Sequence, residues 1–196
     1  MGRSKAEKTK THKRIVAIAS KRFREEGLAG VGIAEVMKEA GLTVGGFYKH
    51  FGTRDDLVAE AVGSTLGMWK RRLDAAATAG GPPVTYGRLV DSYLSEAHRD
   101  NPGAGCSVAA LAAEIPRCNK RTRALVTEQI RNNIEWIASL IGGKNKDSHK
   151  DAARSRATFT FSAFVGIVGL ARAVSDEQLS REILKSGAQF LKRMQS

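Results

Sequence analysis

Residues 39–57 of this 196-residue chain read EAGLTVGGFYKHFGTRDDL. Just upstream, Ile33, Val36 and Met37 recur at helical spacing, and Gly41 stands where the end of that short helix needs a left-handed residue. Thr43 fits the N-cap of a second short helix running through His50. Gly52-Thr53 then makes a turn and a cap, with Asp55 and Asp56 in the first turn of the next helix, where carboxylates complement the dipole. Two short helices joined by a tight glycine-containing turn have the form of a helix-turn-helix, whose second helix enters the DNA major groove. A plain αα-hairpin has the same outline, so the shape alone leaves both open.

Working outward, Ile15, Ile18, Ala19, Arg22 and Phe23 predict an amphipathic helix over 10–26 that stops at Gly27. Downstream, Leu57, Ala61, Val62, Thr65, Leu66, Trp69 and Leu73 form one stripe, read as a single fourth helix. Further helices are expected over 84–99, 106–115, 120–141, 151–174 and 177–194, the last capped by Asp176, with a polar loop over 144–150. Four prolines and no alternating β-branched runs make the chain all-α, with nine helices.

The net charge of +12 favours a polyanionic partner. Residues 1–57 hold 12 basic and 7 acidic side chains, and Arg3 to Arg24 alone carries nine basic residues against Glu7. The basic start is either an arm on the adjacent groove or a solvated tail. It is followed by an amphipathic segment, not an apolar run with a cleavage site, so no targeting sequence is expected. No run approaches the roughly 18 apolar residues of a membrane span. Cys106 and Cys118 make neither a disulfide framework nor a zinc spacing, and His12, His50, His98 and His149 lack metal-ligand spacing. The expectation is a cytoplasmic protein with no metal, cofactor or membrane partner. A glycine-rich phosphate loop and a nucleophile elbow are missing, and Glu114 near Cys106 is too slight for catalysis, so no enzyme is expected.

The 39–57 string, with Phe23 and Gly27 before it, resembles the signature of the TetR family of bacterial repressors; the resemblance covers about residues 10–60. It implies a TetR-like architecture with a basic arm (1–9), a DNA-binding head (10–56) and a ligand-sensing, dimerising body (57–196). It implies DNA contacts from Thr43, Val44, Gly45, Gly46, Tyr48, Lys49, His50 and Arg54, with phosphate roles for Tyr48 and Arg54 and anchoring roles for Phe47 and Phe51. Departures from the family pattern are Gly45-Gly46 beside Val44, which offer no side-chain hydrogen bonds, Gly32 in place of a capping hydroxyl, and Met37 in place of a small residue. They put base preference in doubt and shift weight to Lys49 and DNA shape.

The resemblance further implies a homodimer on a palindromic double-stranded operator, with recognition elements about 34 Å apart, and a pocket for a small-molecule effector. Phe159, Ala163, Ile167, Leu170, Ile183 and Phe190 are the dimer candidates, although the same stripe fits an internal core face. Trp69, Tyr93, Cys106, Leu111, Trp136 and Phe164 are the ligand candidates, each of which also fits ordinary core. Cys106 opens a helix near His98 and Arg99, which fits either an electrophile or oxidant sensor or a small buried side chain. Cys118, among Arg117, Lys120 and Arg121, is read as reactive or simply exposed. The function expected is a repressor released by a small hydrophobic or electrophilic ligand. The competing readings are redox sensing through Cys106 and a sequence-independent DNA-coating protein.

Overall fold

Helix α1 (Lys5–Glu26) lays Ile15, Ala19 and Phe23 against Val36 and Met37 of α2 (Ile33–Glu39) and Leu57 of α3 (Arg54–Gly63), all of them buried. The computed structural model describes residues 5–65, 67–142 and 150–194; residues 1–4, Leu66, His149 and most of the expected 144–150 loop lie outside them. Residues 5–9, expected as part of an arm, form the first turns of α1. Gly41 has φ 67°, as the stop after α2 requires. The expected recognition helix is a tighter 3-10 segment, Val44–Lys49. Thr53 caps α3: its hydroxyl accepts from the Asp56 N–H at 3.1 Å, and Asp56 accepts from the Thr53 N–H at 3.0 Å.

The body consists of α4 (Met68–Thr78), α5 (Tyr86–Tyr93), α6 (Glu96–Asp100), α7 (Ser107–Leu111), α8 (Lys120–Ile141), α9 (Lys150–Ala173) and α10 (Glu177–Arg193). The described residues therefore hold ten α-helices and no strand, where nine helices were expected. The expected fourth helix is two, because Gly67 at φ 65° breaks it. The apolar stripe continues across the break, with Leu57 and Leu73 both buried, so its period conceals the bend. The 84–99 helix also divides, at Leu94, and the Ser95 hydroxyl caps α6 by accepting from the His98 N–H at 3.2 Å. The 106–115 helix closes after one turn, and a 3-10 turn, Ile115–Arg117, follows it. Helix α8 has the expected bounds, and Asp176 caps α10 through the N–H groups of Gln178 and Leu179 at 2.8 and 3.1 Å.

Three contacts weld head to body. Buried Arg24 of α1 donates to the Gly103 carbonyl (Nε at 3.1 Å) and to the Ser20 hydroxyl (2.6 Å), and a Cβ on Gly103 would collide with Glu25. The Glu114 carboxylate accepts from the N–H groups of Leu28 (2.8 Å) and Ala29 (3.3 Å) in the α1–α2 loop. Helix α3 packs along α8, with Arg121 2.9 Å from Asp56 at the rim. The loop that ends in Cys106 thus lies directly on the head.

Candidate nucleic-acid interface and ligand pocket

The recognition segment is held from behind and open in front. Phe47 is fully buried and stacks on Phe51 at 5.3 Å, so the segment has one fixed orientation. Tyr48 is 71% exposed, and Thr43, Val44, Gly45 and Lys49 are exposed with it. Neither Gly45 nor Gly46 has a positive φ. A Cβ on Gly45 would meet nothing within 4 Å, and one on Gly46 would meet Met37 at an ordinary 3.5 Å. The fold does not demand glycine at either place, so the missing side chains matter only to whatever approaches from outside. Lys5, Thr9, Lys10 and Lys13 line a groove along α1.

Two expected DNA contacts face inward instead. The Arg54 guanidinium donates to the carbonyls of Leu28 and, at 3.1 Å, Val31, and lies 5.7 Å from the Phe23 ring centre, so it holds the α1–α2 loop. His50 is half-buried, with its ring near His12 (5.7 Å) and Phe51 (6.3 Å). The reason is local: both residues flank the buried Phe47–Phe51 pair, and head packing takes their side chains first. Arg22 is likewise engaged, with Glu26 (2.7 Å), Glu35 (3.6 Å) and Glu39 (3.9 Å), tying α1 to α2.

In the body, five of the six ligand candidates share one cleft: Trp69, Tyr93, Cys106, Trp136 and Phe164 line it, together with Gln129. Leu111, the sixth, is buried core outside its wall, because α7 turns that side chain away from the cleft. The cleft holds about 410 Å³ between its atoms but is narrow, with little more free room than a water molecule needs. Tyr93 stacks on Phe164 at 4.4 Å and meets Trp69 edge-on at 5.1 Å. His98 stands behind them: its Nε2 accepts from the Cys106 N–H at 3.1 Å, so its Nδ1 carries the proton and donates to the Tyr93 carbonyl at 2.7 Å. Burial pushes the His98 pKa down to about 4. The imidazole is therefore neutral and does not supply the positive charge expected beside Cys106.

The sequence profile of the bacterial regulatory proteins, tetR family, matches residues 15–61, from the buried Ile15 to the end of α3's apolar face. Residues 15–61 thus resemble the N-terminal region of TetR-family regulators. The TetR fold extends over the whole chain. A TetR-family regulator from Cytophaga hutchinsonii superposes with TM-score 0.75 at 20% identity, covering 98% of this chain and 97% of that one. Escherichia coli NemR in its reduced form gives 0.72 at 17%, covering 94% and 96%. A TetR regulator from Chloroflexus aurantiacus gives 0.71 at 22%, covering 95% and 96%. Among curated proteins no sequence matches.

The charges around Cys106 come from residues that sequence reasoning missed. Arg24 and Arg172 are close enough to interact with its thiol, whereas Arg99 pairs with Asp100 (2.6 Å) and Glu177 (3.0 Å). Arg24 lies 82 positions before Cys106 and Arg172 lies 66 after it, so no local signal marked either. Cys118 differs again: burial, with Asp55 and Glu114, raises its thiol pKa, which disfavours the thiolate. Its basic sequence neighbours Arg117, Lys120 and Arg121 are exposed. Of the dimer candidates, Phe159 (49%), Leu170 (60%) and Phe190 (54%) are exposed, and Ala163, Ile167 and Ile183 are half-buried between α9 and α10. Among the described residues, no helix is long and apolar enough to cross a membrane.

Proposed function

We propose that this chain is a cytoplasmic, homodimeric, sequence-specific repressor that leaves a palindromic operator when a small hydrophobic ligand fills the cleft between α4, α5, α8 and α9. The observation that carries the reading is the pairing of an open recognition segment with an aromatic cleft whose Cys106 loop touches the head. Tyr48 and Lys49 supply phosphate and base contacts, and the glycine pair lets the groove wall come close. The helical start of α1, from Lys5, lies along the adjacent groove, the head to residue 56 reads the DNA, and 57–196 sense and dimerise. The apolar side chains of Phe159, Leu170, Leu179 and Phe190 provide the dimer surface on α9 and α10. Filling the cleft moves the loop ending in Cys106, and the Arg24–Gly103 bond carries the shift to α1. Selection of bound DNA from a random library with purified protein tests this. A short inverted repeat is expected, whereas uniform protection of all DNA would mark a coating protein instead.

A second reading is favoured by one observation: Cys106 lines the cleft with Arg24 and Arg172 beside it, an electropositive setting for a nucleophilic thiol. In this reading electrophiles or oxidants act on Cys106; one structural relative is described in its reduced form. Treatment with a quinone or hypochlorite releases wild-type protein from DNA and spares Cys106→Ser. Equal release from both would remove the thiol from the mechanism.

A further inference from the structure

The cleft encloses two hydrogen-bond donors that have no partner, Trp69 Nε1 and the Tyr93 hydroxyl. Tyr93 is 2% exposed, and its hydroxyl meets no oxygen or nitrogen partner among the described residues. An indole N–H can only donate, and buried donors in folded proteins are almost always paired. The neighbours offer no remedy. Both nitrogens of His98, which packs against the two rings, are already engaged. Burial raises the Tyr93 pKa and the Cys106 thiol beside its hydroxyl adds to the rise, but sulfur is only a weak hydrogen-bond partner. One side of the wall is flat, formed by the Tyr93–Phe164 stack and the edge of Trp69, while Gln129 and Asn133 of α8 stand elsewhere in the lining.

Resting on the reading of this cleft as the effector site, we infer that its ligand is a neutral single-ring aromatic compound carrying a carbonyl-type oxygen, which accepts from these two donors. A flat ring needs the least widening of the narrow slot, and an acceptor oxygen supplies the partner that the protein lacks. A cation is disfavoured by Arg24, Arg72 and Arg172, which act on the Tyr93, His98 and Cys106 cluster. A carboxylate would lose its hydration against the aromatic wall.

The chain has only two tryptophans, and both line the cleft, so tryptophan fluorescence excited at the red edge, where tyrosine does not absorb, reports on this site. Full-length protein is titrated with acetophenone, with its hydrocarbon isostere α-methylstyrene, and with benzoate. Acetophenone does not alkylate thiols, so Cys106 chemistry stays out of the readout. Saturable quenching by acetophenone is expected. Tyr93→Phe keeps the ring stack and should weaken acetophenone about tenfold while leaving α-methylstyrene no weaker. Trp69→Phe, read through Trp136, should act in the same direction. Equal changes for ketone and hydrocarbon, no saturable binding of acetophenone, or tighter binding of benzoate would each overturn the inference. Its fate is separable from that of the proposed function. Donor-dependent quenching without DNA release leaves the ligand class standing and removes the effector role. DNA release by other compounds, with no donor preference in quenching, does the reverse.

Discussion

Tyr48 in the head and Tyr93 in the body are separated by 45 positions and by opposite solvent environments: one is 71% exposed, the other 2%. The Tyr48 hydroxyl stands in water, so the phosphate contact proposed for it costs the free protein nothing. The Tyr93 hydroxyl is cut off from bulk water and has no oxygen or nitrogen partner among the described residues, so the free protein carries part of its desolvation. The head's outer face therefore contributes to binding and little to stability. The cleft couples the two, and single-atom changes there should register in both.

The largest expected effect tests the cleft side. The folded pKa of His98, about 4, lies below its unfolded value of 6.5, so the unfolded chain takes up the proton more readily. Its contribution is complete above pH 6.5 and is lost as pH falls toward 4, amounting to about 3 kcal/mol. Urea unfolding at pH 7 and pH 4.5 should show this loss in wild type and a smaller one in His98→Gln. The same loss in both would place the acid sensitivity elsewhere.

Next comes the head's inner face. Arg54→Ala should destabilise the protein by about 2 kcal/mol, because it strands the Leu28 and Val31 carbonyls. Unchanged unfolding together with weakened DNA binding would return Arg54 to the phosphate role that sequence implied. Tyr93→Phe should stabilise the ligand-free protein by about 1 kcal/mol by removing an unpaired buried hydroxyl. A loss of stability in thermal melts would mean that the Cys106 thiol already satisfies it. The smallest effect belongs to the outer face. Tyr48→Phe should leave unfolding unchanged and weaken binding to every DNA sequence severalfold, with a shallower salt dependence in filter or fluorescence titrations. A change in sequence preference at constant affinity would instead make Tyr48 a base reader.

Much of this was legible before any coordinates. The stop at Gly41, the caps at Thr53 and Asp176, the bounds of α8 and the anchoring of Phe47 and Phe51 are all local signals, and each stands where the sequence indicates. The breaks at Gly67 and Leu94 were hidden, because apolar residues continue in phase on both sides. Four cleft residues were legible from their large aromatic side chains and Cys106 from its place at a helix start, whereas Leu111 was misplaced, since a buried apolar side chain and a pocket wall look alike in one dimension.

By itself the sequence determined an all-α chain with a DNA-reading head, because caps, stops and apolar period act over a few residues and need no partner. Only the tertiary structure decided which charges face which groups. It turned Arg54 and His50 inward, and it set Arg24 on Gly103 across 79 positions. It also brought Arg24 and Arg172 to Cys106 while His98 lost its charge to burial. Those outcomes depend on distance and desolvation after the helices have packed, and neither leaves a periodic trace along the chain.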